Sequence, residues 1–328
     1  MKYIMLLWPH ANARYRTETR RLALAEAELM LSRVCPEAAV TEAALNDLPA
    51  LGIQAPEDAD LSALKAHSLM YGLFRMEGEA MYPALGREVP MLGEDLPGVL
   101  KYKGKTNELF THMLVNAALY TSDFYAEKNV QLYDPMCGKG TTLFDGVNRG
   151  WMCTGSDIDK NDLREAEQFF KRYLEFHRFK HSLTKSGLTR PGGKNTPCAS
   201  FALPTLPGAG LRLAECDAAQ VRETFGKKKA QLVVTDLPYG VQHSAAGGGT
   251  VEGLLRRALP DWRELLKEGG AAAVSFNAQT LPRKKVIAAM RDAGYTVPEE
   301  GPYARFEHWV EQAVTRDIVV GVRRDEQI

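Results

Sequence analysis

The sequence predicts a doubly wound α/β sheet preceded by a small α+β domain. From residue 101 onward, short apolar runs alternate with stretches of helical periodicity, the pattern of parallel strands joined by crossover helices. The run 231-QLVVTDLPYG-240 is almost wholly apolar at its start, as a central strand buried on both faces requires. Ahead of this region, 83-PALGREVPMLGEDLPG-98 is rich in Pro and Gly and reads as a loop, so the boundary falls near residue 95. The expected domains are 1–95 and 96–328.

In the first domain, residues 3–8 read as a strand and 17–34 as a helix. Leu22, Leu24, Ala25, Leu29 and Val34 recur at near-helical spacing, with Thr17 or Thr19 as cap. Strand-like pieces and a helix around 61–75 follow. In the second domain the helix KTNELFTHMLVNAALYTSDFYAE (105–127) leads to a strand (130–134), a helix (141–149), a strand (152–157) and a helix (162–177). A third strand ends near Glu215–Asp217 and a fourth is the 231 run. Then come a helix (251–267), a strand (271–277), a helix (282–293) and two closing segments near 303–311 and 314–323, read as an antiparallel hairpin. That makes seven strands.

Residues 178–212 break this rhythm. They are rich in Gly, Pro, Ser and Thr, and no acid occurs between Glu175 and Glu215. Arg178, Lys180, Lys185, Arg190, Lys194 and Arg212 give the stretch a positive excess. It reads either as a solvated insertion or as a patch for a phosphate backbone. The second reading matters because Lys+Arg and Asp+Glu balance at 41 each, so no global field draws the chain to a polyanion. The five cysteines are scattered without a CxxC pair, and the seven histidines show no metal spacing. Reduced thiols, no metal and a cytoplasmic location are expected. No apolar run approaches the ~18 residues of a membrane span, and the short run Ile4–Trp8 is a strand rather than a leader.

The chemistry starts at 131-QLYDPMCGKGTTLFDGVNRGWMCTGSDID-159. Gly138 and Gly140 let backbone approach a ligand closely. A dinucleotide loop would place a third glycine where Leu143 stands, and a phosphate loop would place its lysine elsewhere than Lys139. Carboxylates at three successive strand ends fit a different ligand. Asp134 can face a cationic amine, Asp157 can accept both ribose hydroxyls, and Asp217 can accept from an adenine amine, with Ile158 against the ring. Together they describe a pocket for S-adenosylmethionine. Each acid alone is equally readable as a loop cap.

A second constellation is 235-TDLPYG-240. An exocyclic base amine is a poor nucleophile because its lone pair is delocalised into the ring. Asp236 and the Leu237 carbonyl can accept its two hydrogens, Pro238 stiffens the turn, and Tyr239 can stack on an extruded base. The plainer alternative is a strand-ending Pro turn with a half-buried tyrosine. Cys137 lies in the Gly loop rather than in this turn, so thiolate attack on a pyrimidine carbon is not expected.

With these residues in view, the chain resembles the class I S-adenosylmethionine-dependent methyltransferases. More narrowly, it resembles the RNA guanine-N2 methyltransferases of the tRNA guanosine-10 type. Their DP-x-CG-x-GT loop is matched from Asp134 to Thr141, their G-x-D-x-D by Gly155 to Asp159, and their [ND]-x-P-[YF]-G turn by Asp236 to Gly240. Their lead-in helix is similar to Lys105-Thr106 through Asn116. The resemblance covers residues 100–323. It implies a seven-stranded Rossmann-like sheet behind a ferredoxin-like N-terminal segment, without room for a full THUMP domain. It adds Met136, Cys137, Thr141, Ala218 and Thr106 to the cofactor set. On the substrate side the expected residues are Lys185, Arg190, Lys194, His243 and Arg316.

The implied activity is methylation of guanine N2 in RNA, with tRNA as partner and no membrane or metal. Adenine N6 methylation of DNA or RNA uses the same turn. A non-catalytic RNA-binding protein with a vestigial methyltransferase fold is the third reading. Leu237 departs from the family's usual proline, but its carbonyl is the group the chemistry uses.

Overall fold

The computed structural model describes residues 1–8, 13–100, 105–189, 195–238 and 249–325. The chain divides into two compact units, 1–89 with 298–318, and 90–297 with 319–328.

The first unit runs β1 (Lys2–Leu7), α1 (Ala13–Val34), β2 (Ala39–Leu45), β3 (Leu48–Gln54), β4 (Met70–Glu77) and β5 (Ala80–Gly86). These form an antiparallel sheet in the order β2-β3-β1-β4-β5. One sheet face buries Met5, Leu51 and Leu73, and α1 contributes Leu22, Ala25 and Leu29 to the core. The helix begins at Ala13, so Thr17 and Thr19 lie inside it rather than at its cap. The helix expected at 61–75 is a single 3₁₀ turn, Ser62–Ala66, followed by β4. The unit therefore differs from the ferredoxin-like expectation in having only that turn where a second helix would stand, and a fifth strand. The 83–98 stretch begins inside β5 rather than as loop.

The second unit holds α2 (Leu96–Val99), α3 (Glu108–Thr121), β6 (Gln131–Asp134), α4 (Thr141–Asn148), β7 (Met152–Asp157) and α5 (Lys160–Phe176). It continues through β8 (Ser182–Thr189), β9 (Asn195–Ala202), β10 (Gly210–Glu215), α6 (Val221–Phe225), β11 (Ala230–Asp236), α7 (Val251–Leu265), β12 (Leu266–Asn277), α8 (Arg283–Asp292) and β13 (Tyr295–Thr296). The closing strands are β14 (His308–Glu311) and β15 (Val314–Arg323). The sheet has ten strands, ordered β13-β15-β12-β11-β6-β7-β10-β9-β8 with β14 paired to β15. β6, β7, β10, β11 and β12 pair in parallel where they meet.

The count exceeds seven because the basic insertion is an antiparallel hairpin, not a loop. β9 pairs with β10 on one side and with β8 on the other. Pro197 is tolerated because it lies one residue beyond Cys198, which forms the last β9–β10 pair with Ala214. Phe201 docks β9 edge-on against Phe170 of α5, which in turn stacks on Phe144 of α4. Such aromatic pairs contribute about 0.5–1.5 kcal/mol each beyond their buried area.

Residues 298–318, expected in the second domain, cluster with the first unit. Arg305 forms an ion pair with Glu28, and Arg21 donates to the Glu307 carbonyl, both on α1. The segment near 303–311 is a 3₁₀ turn, Gly301–Arg305, before the short β14.

Candidate active site

The strand order places the topological switch between β6 and β11: the chain runs outward from β6 through β7 to β10, then returns to β11 and β12. Open α/β sheets bind ligands beyond the carboxyl ends of the strands at such a point. Register brings the candidate acids to that edge. Asp134 ends β6 opposite Gly155, Asp157 ends β7 opposite Glu215, and Asp236 ends β11 opposite Ser275.

The Gly loop folds back onto β7. The Cys137 amide donates to the Ser156 carbonyl at 2.9 Å, and the Gly138 amide donates to Asp157 Oδ2 at 2.8 Å. Gly138 and Gly140 take φ of +47° and +92°, left-handed values that a side chain rarely adopts. The loop can lie this close only because Gly155 has no side chain. A Cβ there would stand 2.3 Å from Leu143 Cδ1 and 2.8 Å from Cys137 Sγ.

Asp134 is buried under this loop, and its Oδ1 accepts the Met136 amide at 3.1 Å. Burial pushes its carboxyl up to about 7, with the Asp157 charge adding to the rise; the Met136 amide and the Thr142 hydroxyl oppose it. Thr142 was missed from sequence, although it directly follows the motif residue Thr141. Asp157 is mostly buried, and burial raises its pKa against the amides of Asp159 and Gly138. Ile158 beside it is 54% exposed, a bare aliphatic surface at the carboxyl edge. Asp159 caps α5 by accepting the Asn161 amide.

At the next strand end, Asp217 caps a 3₁₀ turn through the Ala219 amide at 2.9 Å. Ala218 is buried, and its carbonyl accepts from Trp262 Nε1 at 2.8 Å, so its main polar group is already engaged in the core. Met136 packs against that same core, and Thr141 opens α4. Burial raises the Cys137 thiol well above its usual range, with Asp157 and Asp134 adding to the effect. A thiol held neutral in this way is a poor nucleophile.

On β11, the Leu237 amide donates to the Ser275 carbonyl at 2.8 Å and the Leu237 side chain is buried, which fixes the backbone on leaving Asp236. Pro238 follows. Thr106 Oγ1 donates to Asp236 Oδ2, so Thr106 touches the acid at the end of β11. Asn116 is a structural residue: its Oδ1 accepts from Arg149 at 2.6 Å, and Arg149 also pairs with Asp145 at 2.9 Å. Burial opposes the Asp145 charge, but Arg149 and His112 outweigh it and hold the carboxyl down to about 2. This cluster clamps α3 to α4.

Among the substrate-side residues, Tyr239, Arg190, Lys194 and His243 lie outside the described residues. Arg316 does not face solvent. It is 5% exposed in β15, opposite His308, and both belong to the first unit. β15 is buried at every position from Arg316 to Arg323, so Arg316 lies inside the fold, a place that does not suit the substrate contact expected of it. Lys185 is exposed on β8 and pairs with Glu167 of α5 at 2.7 Å. It borders a cavity of about 500 Å³ between α5, the hairpin and the end of β10, where Lys160 and Arg164 also stand. A second cavity of about 480 Å³ opens at the amino ends of β6, β7 and β11, away from the strand-end acids. Among the described residues, no group of His, Cys, Asp or Glu could hold a metal, and no helix is long and apolar enough to cross a membrane.

No known family pattern matches the chain, and no curated protein does. Among solved structures, it is similar to a methyltransferase from Pyrococcus furiosus (12% identity, TM-score 0.43, covering 69% of this chain and 89% of that one). It is also similar to the rRNA methyltransferase aviRa from Streptomyces viridochromogenes (17%, 0.42, 69% and 92%). A TehB-like SAM-dependent methyltransferase from Corynebacterium glutamicum gives 14%, 0.36, 62% and 84%. At identities of 12–17% the chemistry has to be read from the strand-end residues themselves.

Proposed function

We propose that this chain is an S-adenosylmethionine-dependent methyltransferase acting on the exocyclic N2 of guanine in RNA, with tRNA as substrate. The observation that carries the proposal is the pairing of two strand ends across the switch point. Asp134 and its glycine loop close one side, and Asp236 with Leu237 and Pro238 closes the other. Bound S-adenosylmethionine would supply an electrophilic methyl on a sulfonium.

The residues present fit that cofactor. The loop offers backbone without side chains at Gly138 and Gly140. Asp157 keeps acceptor capacity for ribose hydroxyls beyond its two amide partners, since a carboxylate offers about four lone-pair sites. Ile158 presents an exposed apolar surface beside it for the adenine. Asp236 would accept from the amine and orient it for in-line attack, the preorganisation on which transfer to a weak nucleophile depends. Tyr239 completes the motif in sequence as the stacking surface. Lys185, with Lys160 and Arg164 around the same cavity, would meet the phosphate backbone.

The decisive experiment is incubation with methyl-labelled cofactor and total tRNA, or with DNA, followed by mass analysis of nucleosides. Label on N2-methylguanosine is expected. Label confined to N6-methyladenine would reassign the base, and no label on any polynucleotide would reject the proposal.

A pH dependence follows from Asp134. Its folded pKa lies above the unfolded value, so the stability it contributes is present below about pH 4 and is lost as pH rises towards 7. A cationic amine beside it favours the ionised carboxylate. S-adenosylhomocysteine, which carries that amine, should therefore bind about tenfold tighter at pH 8 than at pH 6. Methylthioadenosine, which lacks it, should show little change, and Asp134→Asn should flatten the profile. Calorimetric titration of the two ligands measures this. Equal pH profiles for both would place the amine elsewhere.

A further inference from the structure

The resemblance put Thr106 among the cofactor residues, but the structure puts its hydroxyl on the acid assigned to the acceptor. Thr106 Oγ1 donates to Asp236 Oδ2, and Thr106 is 8% exposed, so little water competes for the bond. Both partners stand on fixed backbone. Next to Thr106, the Asn107 side chain caps α3 by accepting the amides of Leu109 and Phe110 at 2.8 and 3.4 Å. On its other side, Lys105 donates to the Gly98 carbonyl at 3.1 Å. Asp236 is followed by the Leu237 amide bonded to the Ser275 carbonyl.

The bond acts on the carboxylate itself. The terminal torsion of an aspartate is broad and roughly two-fold, so an unrestrained carboxylate samples many planes. A hydroxyl bond to one oxygen selects one plane and directs the other oxygen. For a nucleophile whose lone pair must line up with the methyl, that selection affects the rate rather than the affinity for cofactor.

We propose that Thr106 is a positioning residue for the transfer step: it holds one Asp236 oxygen so that the other meets the acceptor amine. The inference rests on the methyl-transfer reading above. Thr106→Val keeps the shape and removes the donor, whereas Thr106→Ser keeps the donor. Thr106→Val is expected to lower kcat about tenfold or more while shifting S-adenosylhomocysteine affinity less than about twofold. Thr106→Ser should stay within about threefold of the parent. In an Asp236→Asn background, where the carboxylate is already gone, Thr106→Val should add little, as for residues that act as one unit.

Thermal unfolding checks that the variants are folded, and Thr106→Ala replaces Thr106→Val if the latter is not. A wild-type kcat in the donor-less variant would overturn the proposal. So would an equal loss of cofactor affinity, which would return Thr106 to the cofactor, or a Thr106→Ser variant as slow as Thr106→Val, which would make the role one of packing. In each case the methyltransferase reading would still stand. If the unaltered protein transfers no methyl to any acceptor, both fall together.

Discussion

Asp236→Ala is expected to reduce methyl transfer by about 10²–10³-fold or more while leaving S-adenosylhomocysteine affinity within about twofold of the parent. The asymmetry comes from where the residue stands. Asp236 ends β11, whereas the loop of Gly138 and Gly140 follows β6 and is tied to β7 through Asp157. Removing the carboxylate takes away the amine's acceptor without touching those ties. It also orphans the Thr106 hydroxyl, at a cost of about 1–3 kcal/mol in stability. Asp236→Asn separates the two effects, because the amide oxygen still accepts from Thr106 while the charge is lost. Single-turnover rates with saturating cofactor, set beside a binding titration, measure both halves. A variant that kept the parent rate would remove Asp236 from the chemistry.

The second large effect belongs to a residue with no functional group. Gly155→Ala would place a methyl 2.3 Å from Leu143 Cδ1 and 3.0 Å from Cys137 Cβ. β7 is paired with β10 from Met152 to Asp157 and with β6 from Met152 to Gly155, so it cannot retreat at Gly155. The loop and α4 must move instead. Overpacking of this kind typically costs about 1–3 kcal/mol, or roughly 2–12 °C in Tm for a unit of this size. The displacement acts on Cys137, whose amide bonds Ser156, and through it on the Gly138 amide that holds Asp157. Cofactor affinity should fall by about tenfold or more, the equivalent of one lost hydrogen bond of about 1.4 kcal/mol. Thermal unfolding with and without S-adenosylhomocysteine reads both. An unchanged Tm together with an unchanged ligand shift would contradict the packing described.

The two effects show how unevenly the molecule could be read in advance. β6, β7, β10 and β11 were legible because each is a short, largely apolar run between helical stretches that ends in an acid. Asp134, Asp157 and Asp236 therefore stood out. The β8–β9 hairpin was not legible. Its strands, SLTKSGLT and NTPCASFA, are as polar as a loop and include Pro197, and only the pairing of β9 with β10 and of β8 with β9 makes them strands. Arg316, expected on the substrate side, is buried in β15 opposite His308, a placement set by strand register that the sequence does not show. Thr106 was found, but its partner was not, since nothing in a sequence places residue 106 against residue 236. Gly155 was seen as part of a motif, while its purpose, the close pass of Cys137, exists only in three dimensions.

The excursion of residues 298–318 bears on how the molecule is made. The first unit needs those residues, whose Arg305 and Glu307 reach α1, and the last strand then carries the chain back into the second unit partway along its length. During synthesis α1 therefore waits for partners that lie 277 and 286 residues further along the chain. Until they emerge, its flank is uncovered and the large sheet lacks β15, the neighbour of β12. Each unit is built from two separated segments, so neither is complete until the chain beyond residue 297 has been made.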